Sequence, residues 1–227
     1  MREMNQIRYE LKFVLNELQL NELLVLIRQQ KFKKQFPKRT VKSLYFDNNE
    51  YSSVKDNISG ISKRKKIRLR WYDESDRPPI IEIKKRSGRI GNKLNIKSPF
   101  NSGEEIEVIS ANKISSILKK SNYHSNQFIL ISNLNPTLFV VYNREYMISN
   151  EGIRLTIDKK IQFSPVSHFN PICNQKKFRY NKNIVEIKFP INKKKSINKI
   201  LKSTGLAPSR HSKYLAGLSV LGISSYI

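Results

Sequence analysis

The residues with the clearest chemical potential lie between Lys63 and Tyr72, in the run Lys-Arg-Lys-Lys-Ile-Arg-Leu-Arg-Trp-Tyr. Read at period two, Lys66, Arg68, Arg70 and Tyr72 fall on one side of a strand, and Ile67, Leu69 and Trp71 on the other. Three cations in a row, roughly 6–7 Å apart along a strand, repel one another unless the face meets water or an anion. A single half-buried strand with a solvated basic face would account for this run alone, but the pattern recurs. Arg8, Glu10, Lys12 and Val14 oppose Tyr9, Leu11 and Phe13. Glu82, Lys84 and Arg86 oppose Ile81, Ile83 and Lys85. Val140, Tyr142, Arg144 and Tyr146 share one face; Arg154, Thr156 and Asp158 oppose Ile153, Leu155 and Ile157; Glu186 and Lys188 oppose Val185, Ile187 and Phe189.

If the apolar faces pack against helices, the charged faces are left to line a lumen. That predicts an α+β protein: an antiparallel sheet closed into a barrel tunnel of about eight strands, flanked by helices. The inward cations are Lys12, Lys66, Arg68, Arg70, Lys84, Arg86, Arg144, Arg154 and Lys188, against Glu10, Glu82, Asp158 and Glu186. Burying so many cations is costly without anions. A bound chain of phosphates would balance them, with a divalent cation on the few carboxylates. Glu82 and Asp158 also read simply as internal ion-pair partners.

The elements that must position these residues follow in order. A strand over 7–14 leads to Asn16, a helix N-cap with Gln19 as its capping-box partner. Leu20, Leu23, Leu24 and Ile27 follow at helical spacing to about Gln30. A Lys-rich loop runs through Pro37. Strands follow over 41–47, 63–72 and 80–86, with a turn at Asn48-Asn49 and an irregular or helical piece to Gly60. Residues 87–103 read as a loop or a loosely held strand, and 111–120 as a short helix. Strands over 138–147 and 153–158 form a hairpin across Ser149–Gly152. Residues 159–182 read as loop and 184–190 as the last strand. Ser196 caps a helix ending near Gly205, and Pro208-Ser209 opens a final helix. No internal repeat or low-complexity linker appears, so residues 1–227 read as a single domain.

The totals agree with a polyanionic partner: 43 Lys+Arg against 18 Asp+Glu give a net charge of +25. Lys, Asn and Ile are abundant throughout, so patterned arginines carry more weight than surface lysines. Cys173 is the only cysteine, so no intrachain disulfide can form; a reducing, cytoplasmic setting fits. His124, His168 and His211 are scattered, with no Cys/His metal cluster, Walker loop, Ser-His-Asp set or CxxC pair. The N-terminal stretch does not read as a signal peptide. The apolar C-terminal run from Tyr214 is too short to span a bilayer.

Several stretches resemble a known family in the right order from about residue 7 to 217: Arg8-Tyr9-Glu10-Leu11-Lys12, Ser43-Leu44-Tyr45-Phe46-Asp47, Lys66 to Tyr72, Glu82-Ile83-Lys84, Tyr142-Asn143-Arg144, Arg154 to Asp158, Glu186-Ile187-Lys188 and Ser212-Lys213-Tyr214. Together they are similar to the vacuolar transporter chaperone (VTC) domain, within the triphosphate tunnel metalloenzymes. The resemblance implies a polyphosphate polymerase, a transferase that moves the ATP γ-phosphoryl group onto a polyphosphate chain. It implies that Lys12, Arg68, Arg70, Lys84, Arg144 and Arg154 hold phosphates in the catalytic tunnel. Glu186 would hold Mn²⁺ or Mg²⁺, with Glu10 as a second oxygen ligand. Arg210, Ser212 and Lys213, expected on the terminal helix, would contact the phosphate chain at one mouth. Tyr142 would lie near the nucleotide, and Lys66 and Lys188, on the same cationic faces, would add substrate contacts. The wider superfamily opens with Glu-x-Glu-x-Lys; Arg8 in place of the first Glu disfavours its adenylate cyclase and thiamine triphosphatase branch.

The expected partners are therefore ATP and inorganic polyphosphate. A peripheral place at a membrane complex is left open, and nucleic acid is disfavoured because Tyr72 is the only aromatic on the cationic face of Lys63–Tyr72, where stacking platforms would be needed. Two alternatives stand beside the polymerase: a tunnel-type inorganic triphosphatase that passes the phosphoryl group to water, and a non-enzymatic module that binds polyphosphate or RNA.

Overall fold

The computed structural model describes residues 8–73, 76–88, 90–120, 133–202 and 204–224. The elements in chain order are β1 (Arg8–Leu15), α1 (Glu17–Gln29), β2 (Lys33–Asp47), α2 (Ser52–Ile58), β3 (Lys63–Tyr72), β4 (Ile80–Ser87), β5 (Ile90–Lys97), α3 (Ala111–Lys120), β6 (Asn135–Ile148), β7 (Arg154–Pro165), β8 (Phe178–Arg179), β9 (Asn183–Pro190), α4 (Lys194–Lys202) and α5 (Lys213–Val220). The strands hydrogen-bond into a nine-stranded sheet in the order β1-β9-β7-β6-β2-β3-β4-β5, with β8 on β7. The protein is thus α+β with a mostly antiparallel sheet. Among the described residues β1 and β5 are the two ends of that order, so backbone hydrogen bonds do not close the sheet into the expected barrel.

The chain forms two compact units, each assembled from separate stretches: Met1–Arg39, Tyr142–Ile161 and Tyr180–Ser212 in the first, and Thr40–Val141, Gln162–Arg179 and Lys213–Ile227 in the second. In the first unit, α1 starts where the sequence predicts. The Asn16 side chain accepts from Gln19 N at 2.9 Å, and Gln19 Oε1 accepts from Asn16 N at 3.0 Å. Its stripe of Leu20, Leu23 and Ile27 is buried with Phe13, Leu155, Val185 and Ile187. The apolar faces of β1, β7 and β9 therefore look toward helices, and their charged faces look the other way. After α4 the chain runs along β1, where Ser209 N donates to Lys12 O at 2.8 Å and covers part of an edge.

In the second unit, Leu44, Phe46, Ile67, Leu69, Trp71, Ile81 and Ile83 share a core with Ile114 and Leu118 of α3. Helix α5 lies unusually close to its neighbours. A Cβ built on Gly217 would sit 2.5 Å from Leu138 Cδ2 and 2.7 Å from Phe163 Cδ1, and both of those side chains are fully buried. Gly217→Ala is therefore expected to overpack the core. The strain of about 1–3 kcal/mol exceeds the gain in helix propensity of about 1 kcal/mol. Thermal melting should show a drop of a few degrees; an unchanged or raised midpoint would mean that α5 can move away at no cost.

Several elements depart from the sequence expectation. The Lys-rich segment before Val41 is strand, because Phe36 packs edge-on against Tyr146 at 5.7 Å and exposed strand positions tolerate Pro37. Of the two readings left open for 87–103, loop or loosely held strand, residues 90–97 take the second, paired to β4 through a turn at Gly88 whose φ is +57°. Strand β7 runs past Asp158 to Pro165, since Ile161 and Phe163 are buried; Lys160, at φ +52°, marks an irregularity rather than an end. Helix α4 begins at Lys194, ahead of Ser196. Helix α5 begins only at Lys213, so Arg210 and Ser212 lie in the segment before it and not on the terminal helix.

Candidate functional site

In the first unit, strand register decides which charges adjoin. Glu10 lies opposite Lys188, which lies opposite Arg154; one pleat along, Lys12 lies opposite Glu186, which lies opposite Thr156. Charges therefore alternate in sign both along and across β1 and β9. Lys12 Nζ is 2.9 Å from Glu10 and 3.7 Å from Glu186; Lys188 Nζ is 2.6 Å from Glu186 and 3.7 Å from Glu10. Burial and the neighbouring Glu186 charge push Glu10 up, but Lys12 and Lys188 hold it below its ordinary value. Burial works against the Glu186 carboxylate too, yet Lys188, Lys12 and Arg144 hold it at about 2.

Arg144 grips Asp158 with both ends of its guanidinium, Nε to Oδ1 at 2.6 Å and a terminal nitrogen to Oδ2 at 2.8 Å. It lies over the Tyr142 ring at 5.2 Å. Burial opposes its charge, but Tyr142, Asp158 and Glu186 more than compensate, so it stays protonated. Tyr142 itself is buried beneath the guanidinium. Arg154 and Arg210 are exposed, and Ser212 is half-buried. The Thr156 hydroxyl is buried with no hydrogen-bond partner among the described residues.

In the second unit, Glu82 is the hub. Arg68 donates Nε to it at 2.6 Å, Arg70 approaches to 3.6 Å, and Lys93 contacts the other oxygen at 2.5 Å. Arg68 also donates to the Tyr45 hydroxyl at 3.0 Å. Burial pushes that hydroxyl up, but Arg68, Arg70 and Lys213 pull it below its usual value. Tyr45 stacks on Tyr214 at 5.1 Å, and Tyr214 donates to the buried Asp47 at 2.8 Å. The Tyr214 of the terminal motif thus braces the tyrosine that contacts Arg68. Lys66 stands opposite Lys84, which stands opposite Lys93, three like charges across adjacent strands. Lys93 lies in a stretch whose sequence reads as loop or loosely held strand, with no clear alternation to mark it, and Tyr45 stands out in sequence only as part of the Ser43–Asp47 motif.

Glu82 is held at about 2: burial raises it, and Arg68, Arg70 and Lys93 overcome that. Folding with a depressed carboxylate contributes stability that is fully present above the ordinary value of 4.5 and lost as pH falls toward 2. For Glu82 that is about 3 kcal/mol, and Glu186 acts in the same direction. Urea midpoints measured from neutral pH downward should hold steady to about pH 5 and then fall steeply. A flat profile across that window would show that neither ion pair survives in solution.

A divalent cation would need hard oxygen donors. Glu10 and Glu186 supply two carboxylates that are ionised at neutral pH, and Mg²⁺-type sites often use one or two carboxylates completed by substrate oxygens. The donor chemistry fits such an ion, with Lys12 and Lys188 as the groups that balance the carboxylates without it. Among the described residues no cluster of three or more acidic, His or Cys side chains exists that could hold a metal without substrate.

A family-wide sequence profile for the VTC domain matches residues 7–222. The chain belongs to the VTC domain family. No curated protein matches it in sequence. Among solved structures, a protein of Pyrococcus horikoshii aligns with a TM-score of 0.53 at 13% identity, over 93% of this chain and 99% of its own. A candidate adenylate cyclase from Vibrio parahaemolyticus aligns with 0.51 at 11%, over 96% and 99%. A candidate adenylyl cyclase of Hippeastrum, described as having a dominant triphosphatase activity, aligns with 0.50 at 16%, over 94% and 96%. These likenesses show a shared fold. No helix among the described residues is long and apolar enough to cross a membrane.

Proposed function

We propose that this chain is a metal-dependent polyphosphate polymerase, moving the ATP γ-phosphoryl group onto polyphosphate. The observation that carries the proposal is a preset cationic array in each unit: in the second, Arg68 and Arg70 are oriented by Glu82, and in the first, Arg144 is held by Asp158 while Lys12 and Lys188 are interleaved with Glu10 and Glu186. Phosphoryl transfer asks the protein mainly for positioning and charge neutralisation. Arg68, Arg70 and Arg144 provide rigid forks for phosphate oxygens. Lys12, Lys84 and Arg154 add point charges, and Lys66, Lys188, Arg210, Ser212 and Lys213 extend the contacts along the chain of phosphates. Tyr142 acts through Arg144, as the platform beneath it. Glu186 and Glu10 would hold Mn²⁺ or Mg²⁺, which supplies further neutralisation of phosphate charge when bound. The tunnel implied by the family resemblance belongs to this proposal.

Incubation with ATP and Mn²⁺, followed by electrophoresis, should yield long-chain polyphosphate. Release of inorganic phosphate alone would favour the triphosphatase reading, which the Hippeastrum likeness supports. Turnover of neither kind, with tight tripolyphosphate binding that RNA does not displace, would leave a polyphosphate-binding module. Tripolyphosphate at about 100 times its Kd should stabilise the fold by roughly 2.7 kcal/mol, a melting shift of roughly 5–10 °C for a chain of this length. Absence of any shift with metal present would count against the site.

A further inference from the structure

The distal end of β3, β4 and β5 carries positive charge on both faces, which a phosphate site on one face does not require. On the face of Arg68, Lys66 lies opposite Lys84, Lys84 opposite Lys93, and Arg64 opposite Arg86. On the opposite face the core residues Ile67 and Ile83 give way, one pleat further out, to Lys65 opposite Lys85. Lys63, Lys84, Lys85, Arg86 and Lys93 are exposed. Over 57–72 and 83–103 the sequence contains no acidic residue at all. The nearest carboxylates along the chain are Asp56 and Glu82, and Glu82 is buried against Arg68 and Lys93.

This end also presents aliphatic side chains to solvent: Ile90 is 78% exposed beside the turn, and Ile58 and Ile61 are 51% and 47% exposed. Gly88 N donates to Ser62 O at 3.1 Å, and an Arg64 terminal nitrogen to Ile61 O at 2.9 Å, so the loop bearing Ile61 is fastened to the turn. Cations around exposed isoleucines suit a surface that is anionic outside and apolar just beneath. No aromatic side chain lies in this cluster to stack on bases, which disfavours single-stranded RNA.

We propose that this end docks on an anionic lipid bilayer, with Ile90 and Ile61 at the headgroup–acyl boundary and Lys63, Lys65 and Lys85, on the face away from Arg68, on lipid phosphates. The test is sedimentation of the full chain with vesicles of phosphatidylcholine alone or mixed with phosphatidylserine. Binding is expected only to the mixed vesicles. The triple variant K63E/K65E/K85E, whose side chains lie off the proposed phosphate face or at its outer margin, should weaken it by at least about ten-fold while still showing the tripolyphosphate melting shift. Ile90→Ser should weaken it by a smaller factor, and Ile90→Trp should give a blue-shifted emission on mixed vesicles alone. Prior saturation with tripolyphosphate should leave vesicle binding in place. Displacement by tripolyphosphate would mean that the phosphate site was holding headgroups, and would overturn the proposal. So would unchanged binding of the triple variant, or RNA binding that outcompetes vesicles.

Discussion

Glu186→Gln is expected to retain tripolyphosphate binding and to lose metal-dependent turnover by about 100-fold or more. Glu186 is an anion at neutral pH, its carboxyl held well below the usual range by Lys188 at 2.6 Å and Lys12 at 3.7 Å. The substitution keeps the shape and removes the charge that a hard divalent ion requires. It also frees two lysines in part, but each keeps an ion pair to Glu10. The local fold should therefore survive, and affinity for a polyanion should hold or rise as a negative charge is lost. Calorimetry with tripolyphosphate and ATP consumption with Mn²⁺, on one preparation, read the two effects. Turnover equal to wild type would remove Glu186 from the proposed metal site and leave it a charge balancer for Lys12 and Lys188.

Arg68→Ala and Arg144→Ala should fail in opposite ways, although the sequence presents them alike. When Arg68 is removed, Glu82 keeps Lys93 at 2.5 Å and Arg70 at 3.6 Å. The fold should stand, while tripolyphosphate affinity falls by about 10–100-fold, the value of one or two charged hydrogen bonds. Arg144 instead holds both oxygens of Asp158, whose side chain is 2% exposed. Its loss strips a buried carboxylate of a bidentate partner, at about 3 kcal/mol or more. Leu69→Ala, on the apolar face of β3, sets the scale for a pure packing loss at about 2–5 kcal/mol. Urea denaturation and calorimetry on the three variants separate these outcomes. If Arg68→Ala unfolds the protein and Leu69→Ala is silent, the two faces of β3 have been exchanged.

Period-two alternation determined a great deal by itself. The faces of β1, β3, β7 and β9 were legible because each strand places an apolar row on one side where it meets the core, and burying that row leaves the charged row no other direction. Asn16 and Gln19 specified the start of α1, since a capping box needs only residues three apart. The Gly152 turn and the limits of β3 and α3 were equally local. The rest depended on contacts remote in sequence. Strand β5 is polar and exposed along most of its length, so only its pairing with β4 makes it a strand, and with it Lys93 reaches Glu82. Strand β7 outlasts two lysines because Ile161 and Phe163 find a core. Arg210 and Ser212 fall outside α5 because Ser209 hydrogen-bonds to the backbone of β1. Above all, sequence gives each residue of the charged faces a sign but not a neighbour. Register pairs Lys12 with Glu186 and Lys188 with Glu10, gathers Arg68, Arg70 and Lys93 on Glu82, and commits Arg144 to Asp158. Those pairings arise only when strands far apart in the chain are brought within about 5 Å of one another.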